Sequence, residues 1–170
     1  MAIFHVQKRQ DQDCVKLIEL LNYVRDPLAT MPNLTYGTFV SCQYPYEEMM
    51  LVKTCYESPS SRTWQGRQFY EYVISLPGEE SMRIEEFAAC MVAVNRFIAT
   101  YGGGHYQTIH AVHVNTDNLH AHFVVNNIDI FTGSRFDLDM RAFYELREGV
   151  DAILQKHGFT GLKDKKNAAA

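Results

Sequence analysis

The segment HAVHVNTDNLHAHFVVNN, residues 110–127, predicts the centre of the fold. Apolar and β-branched residues on both sides of a polar tetrapeptide predict two strands, 106–114 and 120–130, joined by a turn at 115–118. Because side chains alternate along a strand, His120 and His122 should share one face, about 7 Å apart. Antiparallel pairing through the turn would place His113 beside them. The segment therefore predicts three imidazoles that converge from two paired strands.

The segments on either side predict helices around this hairpin. Apolar residues at helical spacing indicate helices over 13–24 and 79–100, with a shorter one over 46–56. An aromatic and β-branched run predicts a further strand over 68–76. A last helix should cover 140–157, with Asp139 as its N-cap and Gly158 as its stop. This order predicts an α+β fold, in which a mostly antiparallel sheet is flanked by helices.

Length and composition narrow the classes of protein. The 170 residues suit one domain, expected over 1–162 with a solvated tail at 163–170; 46% hydrophobic and 21% charged residues exclude a disordered chain. A net charge of −4 excludes non-specific coating of nucleic acid, so any DNA contact must be local. Neither a secretory signal nor a membrane-length apolar run is evident, so we expect a cytoplasmic protein with no membrane contact.

The three histidines predict a metal centre. Three neutral imidazoles can hold a divalent ion and leave open positions for water or substrate. Such a nitrogen-rich set favours Mn²⁺ or another transition metal over Mg²⁺. The alternative is that they are ordinary surface or core histidines, which is how we interpret the four remaining ones: His5, His105, His110 and His157.

Three segments resemble the motifs of plasmid and transposon relaxases, the tyrosine mobilisation nucleases (MOB-P-like) of the His-hydrophobic-His endonuclease superfamily. LNYVRDP (21–27) is similar to their first motif, and GRQFYEYVISLPGEE (66–80) to their second. Residues 110–127, with TGSRF (132–136) after them, are similar to the third. The order and spacing agree over about residues 13 to 160.

The resemblance implies a reaction and its residues. Tyr23 would attack single-stranded DNA at an origin of transfer and form a 5′-phosphotyrosyl link, with Mn²⁺ or Mg²⁺ held by His113, His120 and His122. It implies as partners that DNA, accessory relaxosome proteins and a coupling protein. Tyr36, Tyr44 and Tyr46 are the reserve nucleophiles. The expected positioning residues and possible general bases are Asn126, Ser75, Asp26 and Glu71.

The chain departs from the family pattern at three places. Asn115 stands where the family has an aspartate near the metal, so we expect the amide to weaken metal binding. Asn118 replaces a histidine of some relatives, and Ala29-Thr30 replaces a common Lys-Thr. None of these changes removes a presumed ligand or the nucleophile.

A polar loop at 58–66 could contact DNA. Arg62 and Arg67 flank the only tryptophan, Trp64, and this mixture suits phosphate contact and base stacking. The alternative is a solvated loop whose tryptophan folds onto the core.

Three alternative functions remain open at this level. A catalytically weak origin-binding module of the same fold would account for Asn115 and the acidic balance. A rolling-circle replication initiator relative is disfavoured, because its tyrosine usually follows the histidines. A metal-dependent hydrolase unrelated to DNA is the most distant alternative.

Overall fold

The computed structural model describes residues 1–6, 14–56 and 67–162. It contains strands β1 (Ile3–Val6), β2 (Thr35–Thr38), β3 (Phe69–Ser75), β4 (Tyr106–His113) and β5 (His120–Asp129). The helices are α1 (Cys14–Val24), α2 (Pro45–Cys55), α3 (Ile84–Ala99) and α4 (Met140–Lys156). This is the predicted α+β architecture.

The five strands form one antiparallel sheet in the order β1-β3-β5-β4-β2. The predicted hairpin is its centre, because β5 pairs with β4 on one side and with β3 on the other. Both central strands are almost entirely buried. The second neighbour of β5, the strand that carries His120 and His122, is therefore β3, which is distant from it in sequence.

Helices cover both faces of the sheet. On one face, α1 and α2 pack over Phe69, Ile109 and Val124, and the buried contributions of α1 are Leu17, Leu20, Leu21 and Val24. On the other, α3 and α4 pack over the side chains that alternate with these. Along β4, His110 and His113 are three residues apart and therefore face opposite layers.

Helix ends follow the predicted signals in most places. The Asp139 side chain accepts a hydrogen bond from the Ala142 amide at 2.7 Å and caps α4, and Gly158 follows its end with φ of +76°. The start of α3 at Glu79 was predicted wrongly. A short 3-10 turn over Gly78–Glu80 follows Pro77, and the α-helix begins only at Ile84. Within the three described ranges, no helix combines the length and apolarity needed to cross a membrane.

Candidate metal centre and nucleophile

The register of the sheet brings the three predicted histidines together. His113 lies directly opposite His120, while His122 lies opposite Ala111, two residues further along β4 and on the same face. One ring nitrogen from each lies within 4.8 Å of the others, and the ring centroids are 4.7 to 5.2 Å apart. The convergence predicted from alternation is therefore present.

In each of the three histidines, one ring nitrogen donates a hydrogen bond to a protein oxygen. His122 Nδ1 donates to Glu71 Oε1 at 3.2 Å, and His120 Nδ1 donates to the Asn118 carbonyl at 2.9 Å. His113 Nε2 donates to the carbonyl of Val24, the last residue of α1, at 2.9 Å. These contacts fix the tautomers, and each ring keeps one unprotonated nitrogen for a ligand role.

The His122 ring gives the test of fit for a metal. Its Nε2 atom is buried and has no hydrogen-bond partner within the described structure. A buried nitrogen without a partner is costly unless another group coordinates it. Three nearby imidazole nitrogens, one of them unsatisfied, match a facial site for one divalent ion.

Burial keeps the site in the form that binds metal. It lowers the pKa of both His113 and His120, and it outweighs the hydrogen bonds to Val24 and Asn118 that raise it. A lowered pKa keeps an imidazole neutral further into the acid range, so both lone pairs stay available below the ordinary value of about 6.5.

Tyr23 lies over this cluster, at the end of α1. Its ring meets those of His113 and His122 edge-on, at centroid distances of 5.4 and 5.2 Å. The side chain is nevertheless 51% exposed, so one side contacts the histidines and the other faces solvent. The hydrogen bond from His113 to the Val24 carbonyl fixes the helix end that positions it.

The reserve tyrosines have other described contacts. Tyr36 accepts a hydrogen bond from Arg96 Nε at 3.0 Å and its ring neighbours His110, which faces the opposite layer. Tyr44 immediately precedes α2 and is exposed, and Tyr46 packs against the core under α1. Of the four candidates, Tyr23 has the described ring contacts with the histidine cluster.

Two predicted residues border the cluster on β3. Ser75 pairs with His120, so its side chain shares the face of the histidines. Glu71 is buried and bonded to His122, which gives it an observed partner that the sequence did not specify. The sequence did not predict that the backbone carbonyls of Val24 and Asn118 accept hydrogen bonds from the histidines, because every residue has a carbonyl and its type does not indicate which one is used.

Among the described residues, the other predicted ones make no hydrogen bond or ring contact with the three histidines. Asn126 is four residues along β5 from His122, and its amide donates to Gln107 Oε1 at 2.9 Å and to the Met49 carbonyl at 3.2 Å. The Arg67 guanidinium lies over the Tyr70 ring, 4.7 Å from its centroid. Arg67 precedes the first residue of β3, whereas Ser75 is the last residue of that strand. Asn115 is exposed in the hairpin turn. Arg62 and Trp64 lie outside the described residues, so their predicted DNA contact stays a prediction.

Comparison with known protein families gives one match over most of the chain. Residues 25–159 match the family described as "Relaxase: MobA/VirD2-like, nuclease domain". Among curated proteins, the chain is 31% identical over 74 residues to Protein rlx of Staphylococcus aureus. That alignment covers 44% of this chain and 19% of the relative.

A second curated relative is the group II intron-interrupted relaxase LtrB of Lactococcus lactis subsp. cremoris. It is 28% identical over 68 residues, which are 40% of this chain and 12% of LtrB. The chain thus matches less than a fifth of the length of either relative.

Solved structures share the fold. The chain is similar to the MobM relaxase domain in its Mn-bound crystal structure with a 22-nucleotide oriT DNA of plasmid pMV158. The TM-score is 0.65 at 18% identity, and the match covers 99% of this chain and 93% of that one. A MobM complex with 26-nucleotide oriT DNA gives 0.64 at 17% identity, with 99% and 94% covered.

Proposed function

The chain belongs to the MobA/VirD2-like relaxase nuclease domain family, and from that membership we propose that it nicks and rejoins one strand of DNA at an origin of transfer. Tyr23 is the proposed nucleophile. The observation that supports this role is the contact of its half-exposed ring with both His113 and His122. A DNA strand on the exposed side of Tyr23 would reach the hydroxyl and the ring nitrogens together.

The residues of the chain prepare the attack in three ways. His113, His120 and His122 would hold the divalent ion, Mn²⁺ or Mg²⁺, which when bound supplies positive charge that stabilises the phosphate oxygens in the transition state. The end of α1, fixed through the Val24 carbonyl, holds the Tyr23 ring against two of these histidines. Ser75, which pairs with His120 across the sheet, would donate a hydrogen bond to the DNA backbone.

The reaction exchanges one phosphate ester for another. A bond forms between Tyr23 Oη and phosphorus while the bond from phosphorus to the 3′-oxygen breaks. The phenolic proton passes to a base or to water, and the departing 3′-oxygen takes up a proton and becomes a hydroxyl. Because the phosphotyrosyl ester keeps the energy of the broken bond, the same site can rejoin strands by the reverse reaction. Asp26, three residues after Tyr23, is our proposal for the base.

The proposed setting is that of a mobilisation protein. Residues 1–162 would form the catalytic domain, acting in the cytoplasm on single-stranded origin DNA. Accessory relaxosome proteins and a coupling protein would bring the DNA to it and carry the product away. Since the chain matches only a small part of its curated relatives, these partners are proposed for the whole protein.

Tyr23→Phe tests the proposal, because it removes one hydroxyl and keeps the ring contacts. The protein is incubated with Mn²⁺ and a 3′-labelled single-stranded origin oligonucleotide, then denatured. We expect wild type to carry the label covalently and Tyr23→Phe to form no detectable adduct, while its oligonucleotide affinity is unchanged.

Tyr44→Phe is the matched control, since Tyr44 is 55% exposed, as Tyr23 is half-exposed, and has no described ring contact with the three histidines. It should form the adduct at the wild-type rate. An undiminished adduct in Tyr23→Phe would assign the nucleophile elsewhere. Binding without any adduct in wild type would support the origin-binding module instead.

A further inference from the structure

Residues 26–30, which follow α1 and Arg25, form a tightly bonded turn. The Asp26 carboxylate accepts a hydrogen bond from the Leu28 amide at 2.9 Å, and the Asp26 carbonyl accepts from the amides of Ala29 and Thr30 at 2.9 and 3.0 Å. The side chains of Ala29 and Thr30 are buried. The turn is therefore an ordered piece of backbone with an anchored C-terminal half.

The same turn is fixed to the strand that bears the metal centre. The Val114 amide donates to the Ala29 carbonyl at 2.9 Å, and the neighbouring residue His113 bonds to the Val24 carbonyl. His113, the last residue of β4, and Val114, the residue after it, thus bind Val24 before the turn and Ala29 within it. The backbone at Leu28, next to Ala29, therefore lies near the end of β4 that carries His113, in the turn that follows the helix of Tyr23.

The Leu28 side chain is exposed to solvent, in contrast to the two residues that follow it. Its side chain is 86% exposed although both following residues are buried and its own amide is bonded. A single exposed leucine is common on protein surfaces. Leu28 differs because an ordered turn presents it within five residues of the half-exposed Tyr23, with the exposed Met31 three residues further on.

We propose that Leu28 is a base-contacting residue, against which the nucleobase next to the attacked phosphate packs. This inference rests on the proposed function. A flanking base must leave its stacked neighbour for the phosphate to reach Tyr23 and the histidines, and an apolar wedge between bases is a known means of unstacking. The chain has net charge −4, so contact with an uncharged base suits it better than a phosphate patch would. A preformed turn also binds with little ordering cost.

The test uses origin oligonucleotides with 2-aminopurine at the base on either side of the cut, because this base fluoresces more strongly when unstacked. Wild-type protein should raise the fluorescence at one of the two positions. Leu28→Ser should remove most of that rise and weaken binding about 5- to 10-fold, the size expected for losing part of the burial of a leucine. Met82→Ser is the matched control, since Met82 is 88% exposed and lies before α3.

The two proposals fail in different ways. Equal fluorescence and affinity for Leu28→Ser and Met82→Ser would overturn the role of Leu28 and leave it available for a contact with another protein. A covalent adduct on Tyr23 in that same experiment would keep the nicking function intact. A smaller fluorescence rise and weaker oligonucleotide binding in Leu28→Ser, with retained thermal stability and wild-type Mn²⁺ affinity, would support the proposed role of Leu28.

Discussion

The hydrogen bond between His122 and Glu71 should increase the affinity of the protein for Mn²⁺. Glu71→Gln keeps an acceptor oxygen of the same size but removes the negative charge beside a ligand imidazole. A partner of this kind raises the basicity of the ligand and fixes its tautomer, so we expect Mn²⁺ affinity about 10- to 100-fold lower. Isothermal titration of the DNA-free protein measures it.

Glu47→Gln is the control for the Glu71 substitution, because Glu47 is an exposed glutamate in the first turn of α2. It should bind Mn²⁺ as wild type does. Equal affinities in the two variants would mean that Glu71 has no part in metal binding.

The sequence specified some residues of this site better than others. Alternation in a short hairpin was enough to place His113, His120 and His122 together. Tyr23 needed its motif, since any of ten tyrosines could otherwise be chosen. Glu71 could not be placed, because its contact depends on β3 lying next to β5, and strand order does not follow from local periodicity.

Helix α1 connects the core to Tyr23. Leu21 is fully buried between this helix and the sheet, two residues before Tyr23, whose ring contacts the histidines. Leu21→Ala should lower the free energy of unfolding by about 2 to 5 kcal/mol, from lost burial and the cavity it leaves. Urea denaturation followed by circular dichroism measures this. The same change at Leu51, which is exposed on α2, should shift it by less than about 0.5 kcal/mol.

The elements that sequence analysis missed are the two edge strands. β1 and β2 have four residues each, too few to show a periodicity, and β2 contains Gly37. Such strands form because a neighbour offers free hydrogen-bonding groups, as β3 does for β1 and β4 for β2. The long central strands and the four helices were predicted because each contains enough residues for its period to appear.

The free energy of unfolding of the protein depends on pH, and His110 contributes to this dependence. This side chain is 1% exposed and stacks on Phe123 in the layer away from the metal centre. Burial lowers its pKa to about 3. The unfolded chain therefore binds a proton at this residue near pH 6.5 while the folded chain does not, so stability falls as the pH drops below 6.5.

Between pH 7 and pH 5 this one residue should cost about 2 kcal/mol of unfolding free energy. His110→Phe, which keeps a flat ring on Phe123 and removes the proton, should flatten the pH profile by that amount. Urea melts at several pH values measure it, with His157→Gln at an exposed position as the control. An unchanged profile in His110→Phe would refute the assignment.

The place of β5 in the sheet has a consequence for how the molecule opens. Edge strands and helix ends can detach from a native protein without the rest unfolding, but a strand bonded on both sides is released only when its neighbours come apart. His120 and His122 lie on that strand, and His113 lies on the strand paired with it. The three histidines proposed to bind the metal therefore belong to the last part of the protein to come apart, and they keep their mutual spacing through the smaller fluctuations that expose α1 and the outer strands.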